Sequence, residues 1–398
     1  MKRGKRLAAL LLAACLLAGC GAGAPSSSAP QSEPQSVAET PAPAPQQPTA
    51  SNGLPLPAAG ISALTGREGD YTKRPVAVML YNSKAALPQW GIGSADILIE
   101  ALTEGSDTRM MAVYPNHEVV EKVGPAGPAR DVFLQMVMPF SAIPMFVGSD
   151  IYSSNLLNLY AYQPLDGMYA GTTAFDFDSE RGKTYRKEFC WYARKELIPT
   201  ALEQYGQSTQ GDTPSFFKFA EGAAANTSGG SLEIGYSESR IAQLAYDGSD
   251  QRYYLKENGE PQWDATKEDG AVRFSNVVLL MARSGYKEDG VTREYDLTKG
   301  EGLYLSQGGA VPIQWQKGSP ASPLRLYDAG GQELSVQPGR TYIGIWGGFG
   351  GQTLRLLGQD GSEQAMPASP EPLPTPEPTP EPQPEGEPAP EGEPAPAE

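Results

Sequence analysis

Residues 95–114, ADILIEALTEGSDTRMMAVY, contain two mainly apolar runs separated by the sequence EGSD at 104–107. The first run fits two templates, because its apolar residues recur at helical spacing (95, 98, 99, 102) and also at the alternate spacing of a strand (97, 99, 101). The glycine-containing turn that follows, together with the second apolar run, is typical of a β-hairpin. We therefore predict two antiparallel strands here.

The pairing of this hairpin sets which side chains share a face. If Thr103 pairs with Thr108, then Glu100 lies opposite Met111 and diagonal to Arg109 on the same face. The sequence then predicts that Glu100 and Arg109 lie within reach of each other. They are either a structural ion pair, which stabilises little if exposed, or part of a site.

The segments around the hairpin alternate between strand and helix patterns. Ser153 or Ser154 is the predicted cap of a short helix, and Pro199 limits a later one. The predicted elements are strands at 74–80 and 143–147 and helices at 129–140, 153–160 and 194–205. Together they predict an α/β domain with a mixed sheet over residues 61–205.

The second half of the chain has the pattern of an antiparallel β domain. Residues 206–231 are mainly Gly, Ser, Thr, Gln and Ala, which predicts a linker. Short strands with turn residues between them then predict a smaller β-rich antiparallel domain over 232–351. Its predicted strands are 232–236, 241–246, 251–256, 277–282, 293–297, 302–305, 311–315, 324–327, 333–336 and 341–346. The expected fold class is therefore α+β, or mixed α/β.

Both ends of the chain have a composition that is typical of disorder. Residues 20–60 are rich in Pro, Ala, Ser and Gln, and residues 352–398 end in repeated Pro-Glu units. Neither segment contains enough apolar residues to offset the entropy lost on ordering. We predict a flexible tether at the N-terminus and an extended acidic tail at the C-terminus.

The first nineteen residues have the pattern of a lipoprotein signal peptide. Four basic residues precede an apolar run, and residues 17–20, LAGC, form a lipobox. Cys20 is therefore the predicted lipidation site, carrying a diacylglyceryl group that binds the lipid bilayer. The expected location is the extracytoplasmic face of the cell membrane.

Charge and residue counts exclude several classes of function. The formal net charge of −16 disfavours nucleic acid as a partner. Besides the signal cysteine and Cys20, the chain has only Cys190, and its one histidine is His117. Zinc sites and Cys/His nucleophile chemistry lack their residues, so we predict no metal site, no cofactor and no catalytic residue.

Many segments resemble the YerB-like lipoprotein family, over about residues 70–346. The matching segments are 74–79 (RPVAVM), 88–91 (PQWG), 95–97 (ADI), Glu100, 104–109 (EGSDTR), 123–125 (VGP), 129–130 (AR), 148–149 (GS), 166–169 (DGMY), 276–278 (NVV), 313–315 (IQW) and 338–341 (PGRT). The resemblance implies a lipidated N-terminus, an α/β first domain and a β-rich second domain. It implies no reaction, because the molecular function of the family is unassigned.

Several polar positions of the family are changed in this chain. Tyr81 stands where the family tends to have an aspartate, Leu87 where an arginine is expected, and Gln262 where a histidine is usual. If those groups formed a catalytic site, this chain has lost most of it.

The hairpin and the resemblance together point to a polar cleft between the hairpin and the helix that follows. Its expected residues are Gln89, Glu100, Arg109 and Arg130. Asn82, Glu104 and Ser149 complete the candidate binding residues.

Two classes of function remain from the sequence. The favoured one is a non-enzymatic binding or scaffold protein that holds a cell-wall component or another envelope protein. The alternative is an envelope hydrolase with paired carboxylates, which need a separation of about 5–10 Å and one raised pKa. Asp96, Glu100, Glu104 and Asp107 are the candidates, but on one strand Asp96 and Glu100 would lie about 13 Å apart.

Overall fold

The predicted hairpin forms the middle of a large mixed β-sheet in the computed structural model, which describes residues 48–222 and 227–374. These residues belong to one compact unit. The signal peptide, Cys20 and the end of the acidic tail lie outside the described residues.

The described residues contain twenty-two strands and four short α-helices. The strands are β1 (Val76–Tyr81), β2 (Ile97–Leu102), β3 (Thr108–Tyr114), β4 (Ile143–Phe146), β5 (Leu165–Asp166), β6 (Phe175–Phe177), β7 (Trp191–Ala193), β8 (Thr227–Ser228), β9 (Ser231–Ser237), β10 (Arg240–Asp247), β11 (Arg252–Glu257), β12 (Glu260–Pro261), β13 (Arg273–Phe274), β14 (Asn276–Met281), β15 (Ser284–Tyr286), β16 (Arg293–Tyr295), β17 (Lys299–Ser306), β18 (Gly309–Gln316), β19 (Arg325–Tyr327), β20 (Thr341–Trp346), β21 (Thr353–Leu357) and β22 (Glu363–Gln364). The α-helices are α1 (Asp131–Val137), α2 (Ile151–Leu159), α3 (Gly167–Ala170) and α4 (Ile198–Gln204). Single 3₁₀ turns occupy Lys84–Ala86, Ile92–Ser94, His117–Val119, Met138–Phe140, Gly171–Thr173, Arg181–Lys183 and Lys187–Cys190.

The large sheet joins the two halves of the chain. Its strand order is β19-β18-β17-β14-β20-β2-β3-β1-β4-β5, with β8 paired to β18. Strand β20, from the end of the chain, lies parallel to both β14 and β2. The mixed sheet predicted for the first half is confirmed, but the strands of the second half do not form one separate sheet. Several of them extend the first sheet.

A second, antiparallel sheet covers one face of the large sheet. Its order is β12-β11-β10-β9-β21-β22, with β13 beside β11. Leu232 and Ile234 from β9 pack in one apolar core with Leu98 and Met110 of the hairpin. The antiparallel, β-rich character predicted for the second half is confirmed by this sheet.

Helices α1 and α2 cover the opposite face of the large sheet, whereas α4 packs in the first core. Phe133 and Leu134 of α1 pack in a second apolar core with Ile99 and Met111 of the hairpin and Ile343 of β20. The hairpin is thus buried on both faces, which explains why its strands are apolar throughout rather than alternating.

Most predicted elements are present, with shifted ends. The strands at 74–80 and 143–147 and the buried helix within 129–140 are confirmed. The cap of α2 is Asp150 rather than either serine, because its carboxylate accepts a hydrogen bond from the Ser153 amide. Helix α4 begins at Ile198, later than predicted. Nine of the ten strands predicted in the second half occur, whereas residues 333–336 make only isolated bridges.

The predicted flexible segments are partly ordered. In the tether, Leu56 is buried and the amide of Asn52 donates to the Pro139 carbonyl at 2.8 Å. In the linker, Phe216 is buried and stacks on Phe140 with ring centres 4.2 Å apart. In the tail, residues 353–364 contain β21 and β22, because alternate apolar side chains such as Leu356 complete the core between the sheets.

Candidate functional site

The register of the hairpin places Glu100 and Arg109 on opposite faces of the large sheet. Leu102 pairs with Thr108 and Ala101 pairs with Arg109, so the connection is one residue longer than predicted. Because side chains alternate along a strand, this one-residue shift reverses the face of every side chain on one strand relative to the other. The predicted Glu100–Arg109 pair is therefore wrong, and the candidate residues divide into two groups.

The first group, here called the buried cluster, consists of Asn82, Glu100, Thr108, Glu257 and Tyr342. Glu100 accepts hydrogen bonds from Thr108 at 2.6 Å, Tyr342 at 2.8 Å and Asn82 at 3.1 Å. The Asn82 amide also donates to Glu257 at 3.3 Å. The cluster lies between the two sheets, since Glu100 faces the side of β2 that the second sheet covers.

Polar side chains around the buried cluster extend its hydrogen bonding. Arg240 donates to the Asn82 carbonyl and, at 3.3 Å, to Glu257. Gln89 donates to the Tyr81 carbonyl at 2.7 Å and accepts from Gln262. Gln262, at the position where the resemblance implied a histidine, thus supplies an amide donor to Gln89.

The two carboxyl groups of the buried cluster have strongly perturbed ionisation. Burial raises the pKa of Glu100 and, together with the nearby Glu100 charge, raises the pKa of Glu257 well above its ordinary value. Burial thus disfavours the charged form of both carboxyl groups, and the positive charge of Arg240, 3.3 Å from Glu257, opposes that effect.

The surroundings of this carboxyl pair differ from those of an acid–base site. Glu100 is fully buried and Glu257 is 5% exposed. Each of their four carboxyl oxygens accepts a hydrogen bond from Asn82, Thr108, Tyr342 or Arg240. The pair therefore links the two sheets, and it lacks the open cleft through which a substrate would reach it.

The second group, here called the outer cluster, consists of Glu104, Arg109, Arg130 and Asp150. It lies on the helix face of the large sheet, where Arg130 precedes α1 and Asp150 caps α2. The Arg130 guanidinium contacts Glu104 and lies 3.3 Å from Asp150. Arg109 lies 3.4 Å from Glu104. Two cations and two anions are thus interleaved.

The charges within the outer cluster shift one another's ionisation. Burial opposes ionisation of Glu104, but the hydrogen bond from Arg130 and the charge of Arg109 outweigh it and lower the pKa of Glu104. Burial and the neighbouring Arg130 charge lower the pKa of Arg109 to about 10. The side chains of the four residues are between 13% and 24% exposed, so the outer cluster is only partly open to solvent.

The last candidate, Ser149, lies beside the outer cluster. Its hydroxyl is 3.0 Å from that of Ser154, and its backbone bridges to Ala129, next to Arg130. The predicted cleft residues are thus divided. Asn82, Gln89 and Glu100 belong to the buried side of the sheet, whereas Glu104, Arg109, Arg130 and Ser149 belong to the outer side.

Sequence reasoning missed several residues of these clusters. Glu257 ends a strand in which Tyr253, Leu255 and Glu257 are buried in alternation, so the period-two pattern of β11 was the available signal. Asp150 was signalled by its position just before a helix. Tyr342 gave no local signal, because its role depends on the pairing of β20 with β2.

The other two carboxylate candidates, Asp96 and Asp107, lie apart from each other. Asp107 lies near Arg240 at 3.4 Å, and Asp96 faces a different part of the surface, beside Arg340.

Among residues 48–222 and 227–374, no group of three or more His, Cys, Asp or Glu side chains is arranged to hold a metal ion. None of the helices in that part of the chain is long and apolar enough to cross a membrane.

Comparisons of sequence and of structure with known proteins point to the same family. Residues 64–206 match the family described as "Protein of unknown function (DUF3048) N-terminal domain", and residues 232–343 match the DUF3048 C-terminal domain. The chain is 28% identical over 283 residues to "Putative lipoprotein YerB" of Bacillus subtilis (strain 168), covering 69% of this chain and 81% of that protein. The crystal structure of YerB from Bacillus subtilis has a similar fold, with a TM-score of 0.65 and 24% identity, covering 74% of this chain and 99% of that one.

Proposed function

This chain belongs to the YerB-like DUF3048 family, and on that premise we propose that it is a lipoprotein anchored through Cys20 to the extracytoplasmic face of the cell membrane. There it binds or scaffolds a component of the envelope and catalyses no reaction. The family itself has no assigned molecular function.

The anchor is supported by the sequence and by the description of a relative. The LAGC lipobox at 17–20 follows a short apolar run, as in lipoprotein signals. The relative from Bacillus subtilis is named "Putative lipoprotein YerB". Diacylation of Cys20 would give durable attachment, since two acyl chains bind a bilayer far more tightly than one.

The observation that carries the choice of binding over hydrolysis is the closed environment of Glu100 and Glu257. The hydrolase alternative needs two carboxyls that reach substrate and water, and these two are buried with every oxygen hydrogen-bonded. Their raised pKa follows from burial and needs no catalytic role.

The outer cluster supports a binding surface on the helix face. Large apolar side chains are exposed next to it: Ile151 follows Asp150 and is 64% exposed, and Met168 is 69% exposed. The Met168 side chain lies beside Gly148, the residue before Ser149. Exposed apolar side chains adjoining arginines are typical of protein-binding surfaces.

The experiment for the anchor is fractionation of cells that produce the wild type or Cys20→Ala. We expect wild type in the membrane fraction and the variant released. Equal retention of both in membranes would overturn the anchor.

The experiment for the binding surface is affinity capture from detergent-solubilised envelope. Arg109→Ala and Arg130→Ala are compared with Arg194→Ala, a surface arginine that contacts Asp176 and Glu196 away from the outer cluster. We expect a partner that the first two variants lose and the control keeps. If both variants melt like wild type and keep every partner, the outer cluster is not the binding surface.

A further inference from the structure

A pocket of about 480 Å³ on another part of the molecule is lined by four arginines: Arg67, Arg252, Arg273 and Arg340. It lies where β2 and β20 begin side by side, since the Thr341 amide donates to the Asp96 carbonyl at 2.9 Å. The second sheet supplies the other wall through Arg252 of β11 and Arg273 of β13.

Backbone and hydroxyl groups hold three of these arginines in place. Arg340 donates through Nε to the Ala95 carbonyl at 2.6 Å, and Arg67 donates through Nε to the Pro338 carbonyl at 3.1 Å. Arg252 donates to the Ser275 hydroxyl. Among the described residues, no carboxylate oxygen lies within 4.0 Å of the guanidinium group of any of the three, although the backbone amide of Arg252 donates to Asp250 at 3.1 Å. The buried Nη2 of Arg340 has no hydrogen-bond partner in that part of the chain.

The fourth arginine already has a carboxylate partner. Arg273 pairs with Asp269 at 3.0 Å and donates to the Tyr254 hydroxyl at 3.0 Å. It therefore completes the wall of the pocket, while the positive charges of the other three remain available.

The positive charges repel one another across the pocket. Burial and then the charges of Arg67 and Arg273 lower the pKa of Arg252. Burial also lowers the pKa of Arg340, whose attraction to Asp96 is opposed by Arg252 and Arg273. The acids that line the pocket are Asp96, which is largely buried, and the exposed Glu68 and Asp70. A bound anion would relieve this repulsion.

We propose that this pocket binds the phosphate group of a small phosphate ester. Three guanidinium groups without carboxylate partners match a dianion with several acceptor oxygens better than a single carboxylate. The volume accommodates more than the phosphate itself, which leaves room for a glycerol- or sugar-sized group. This pocket is separate from the outer cluster. Phosphate binding here can therefore be tested independently of the proposed envelope partner.

The test is titration calorimetry on the purified full-length protein in detergent, at pH 7 and in a phosphate-free buffer. The probes are glycerol 3-phosphate, inorganic phosphate and citrate. We expect saturable binding of the two phosphates, with the ester tighter because it fills more of the pocket, and weaker or absent binding of citrate.

Matched variants assign the binding to the pocket. Arg252→Gln and Arg340→Gln are expected to weaken it by about tenfold or more, since each removes charge-assisted hydrogen bonds. Arg283→Gln, a half-exposed arginine outside the pocket, is expected to bind like wild type. Asp96→Asn is expected to bind more tightly. Melting temperatures check folding, and if Arg340→Gln is destabilised, Arg252→Gln alone decides.

Three results would overturn the proposal. The first is the absence of saturable phosphate binding up to about 10 mM. The second is equal weakening in the Arg283→Gln control, which would indicate a general charge effect. The third is preferential binding of citrate, which would assign the pocket to carboxylates.

Discussion

The hydroxyl of Tyr342 donates a hydrogen bond of 2.8 Å to Oε2 of Glu100. The two residues lie on neighbouring parallel strands, β20 and β2, that come from opposite halves of the chain. The same hydroxyl lies 3.1 Å from that of Tyr236 on the second sheet. This contact therefore connects both halves of the chain and both sheets at a buried carboxyl group.

Replacing Tyr342 by Phe should destabilise the protein without altering its shape. The substitution removes one donor from a buried carboxyl group, so we expect the free energy of unfolding to fall by about 1–3 kcal/mol. Urea denaturation at pH 7 measures it. The control is Tyr254→Phe, whose hydroxyl donates to Asp250 at the surface, with an expected change below about 0.5 kcal/mol. Equal losses of stability in the two variants would mean that the buried hydrogen bond contributes no more than the exposed one.

Arg240→Met should be destabilising in a pH-dependent way. Arg240 is 3% exposed and is the cation beside Glu100 and Glu257, so its removal leaves a buried negative charge. We expect a loss of about 3–5 kcal/mol at pH 8. Without Arg240, burial holds the pKa of Glu100 and Glu257 above the unfolded-state value, so the folded state binds protons more tightly than the unfolded state. Stability should then fall as the pH rises above the ordinary glutamate pKa of 4.5.

Urea denaturation of Arg240→Met at pH 5 and pH 8 tests that expectation. The loss relative to wild type should be smaller at pH 5, where the carboxyl pair takes up protons. Adding Glu257→Gln to the variant should recover part of the loss, because one ionisable group is gone. A loss that is the same at both pH values would exclude the electrostatic explanation.

The hairpin shows what could be predicted from the sequence. Its existence follows from a local turn and two flanking apolar runs, and both strands occur. Its register does not follow, because a connection of four or five residues is equally compatible with the sequence at 103–108. One residue of difference moved Arg109 away from Glu100 and divided the predicted cleft into two clusters.

The sheet pairing shows what local patterns leave out. Residues 341–346 have the pattern of a strand, but nothing near them indicates that β2 is their neighbour. Parallel pairing depends on contacts between distant parts of the chain, and the partners of Glu100 at Glu257 and Tyr342 depend on it too. Asp150, by contrast, could be predicted, since it immediately precedes a helix.

Asp96→Asn should stabilise the protein above pH 6. Burial raises the pKa of Asp96 from 3.8 to about 6, despite the opposing charge of Arg340. Between those values the folded state holds the proton and the unfolded state does not, so stability falls as the pH rises from about 4 to 6. Above pH 6 Asp96 is ionised in both states, and its burial then lowers the free energy of unfolding by up to about 3 kcal/mol.

Melting temperatures of Asp96→Asn between pH 4 and pH 8 test this prediction. The variant should gain about 1–3 kcal/mol over wild type at pH 7, and the two should converge near pH 4. Asp247→Asn is the control, because Asp247 is exposed and hydrogen bonds lower its pKa. A variant less stable than wild type at pH 7 would show that the attraction between Asp96 and Arg340 outweighs burial.

Leu356→Ala should show that the folded region extends beyond the predicted boundary at residue 351. Leu356 is 1% exposed, pairs with Leu232 of β9 and packs in the core between the sheets. Truncation there should leave a cavity and lower the free energy of unfolding by about 2–4 kcal/mol. The neighbouring Arg355→Ala is a matched control, since that side chain is 52% exposed and lies 3.6 Å from Glu233, so its expected change is below about 1 kcal/mol. Equal stability of Leu356→Ala and wild type in urea would mean that β21 contributes nothing to the fold. A selective loss would identify β21 as an integral strand of the second sheet.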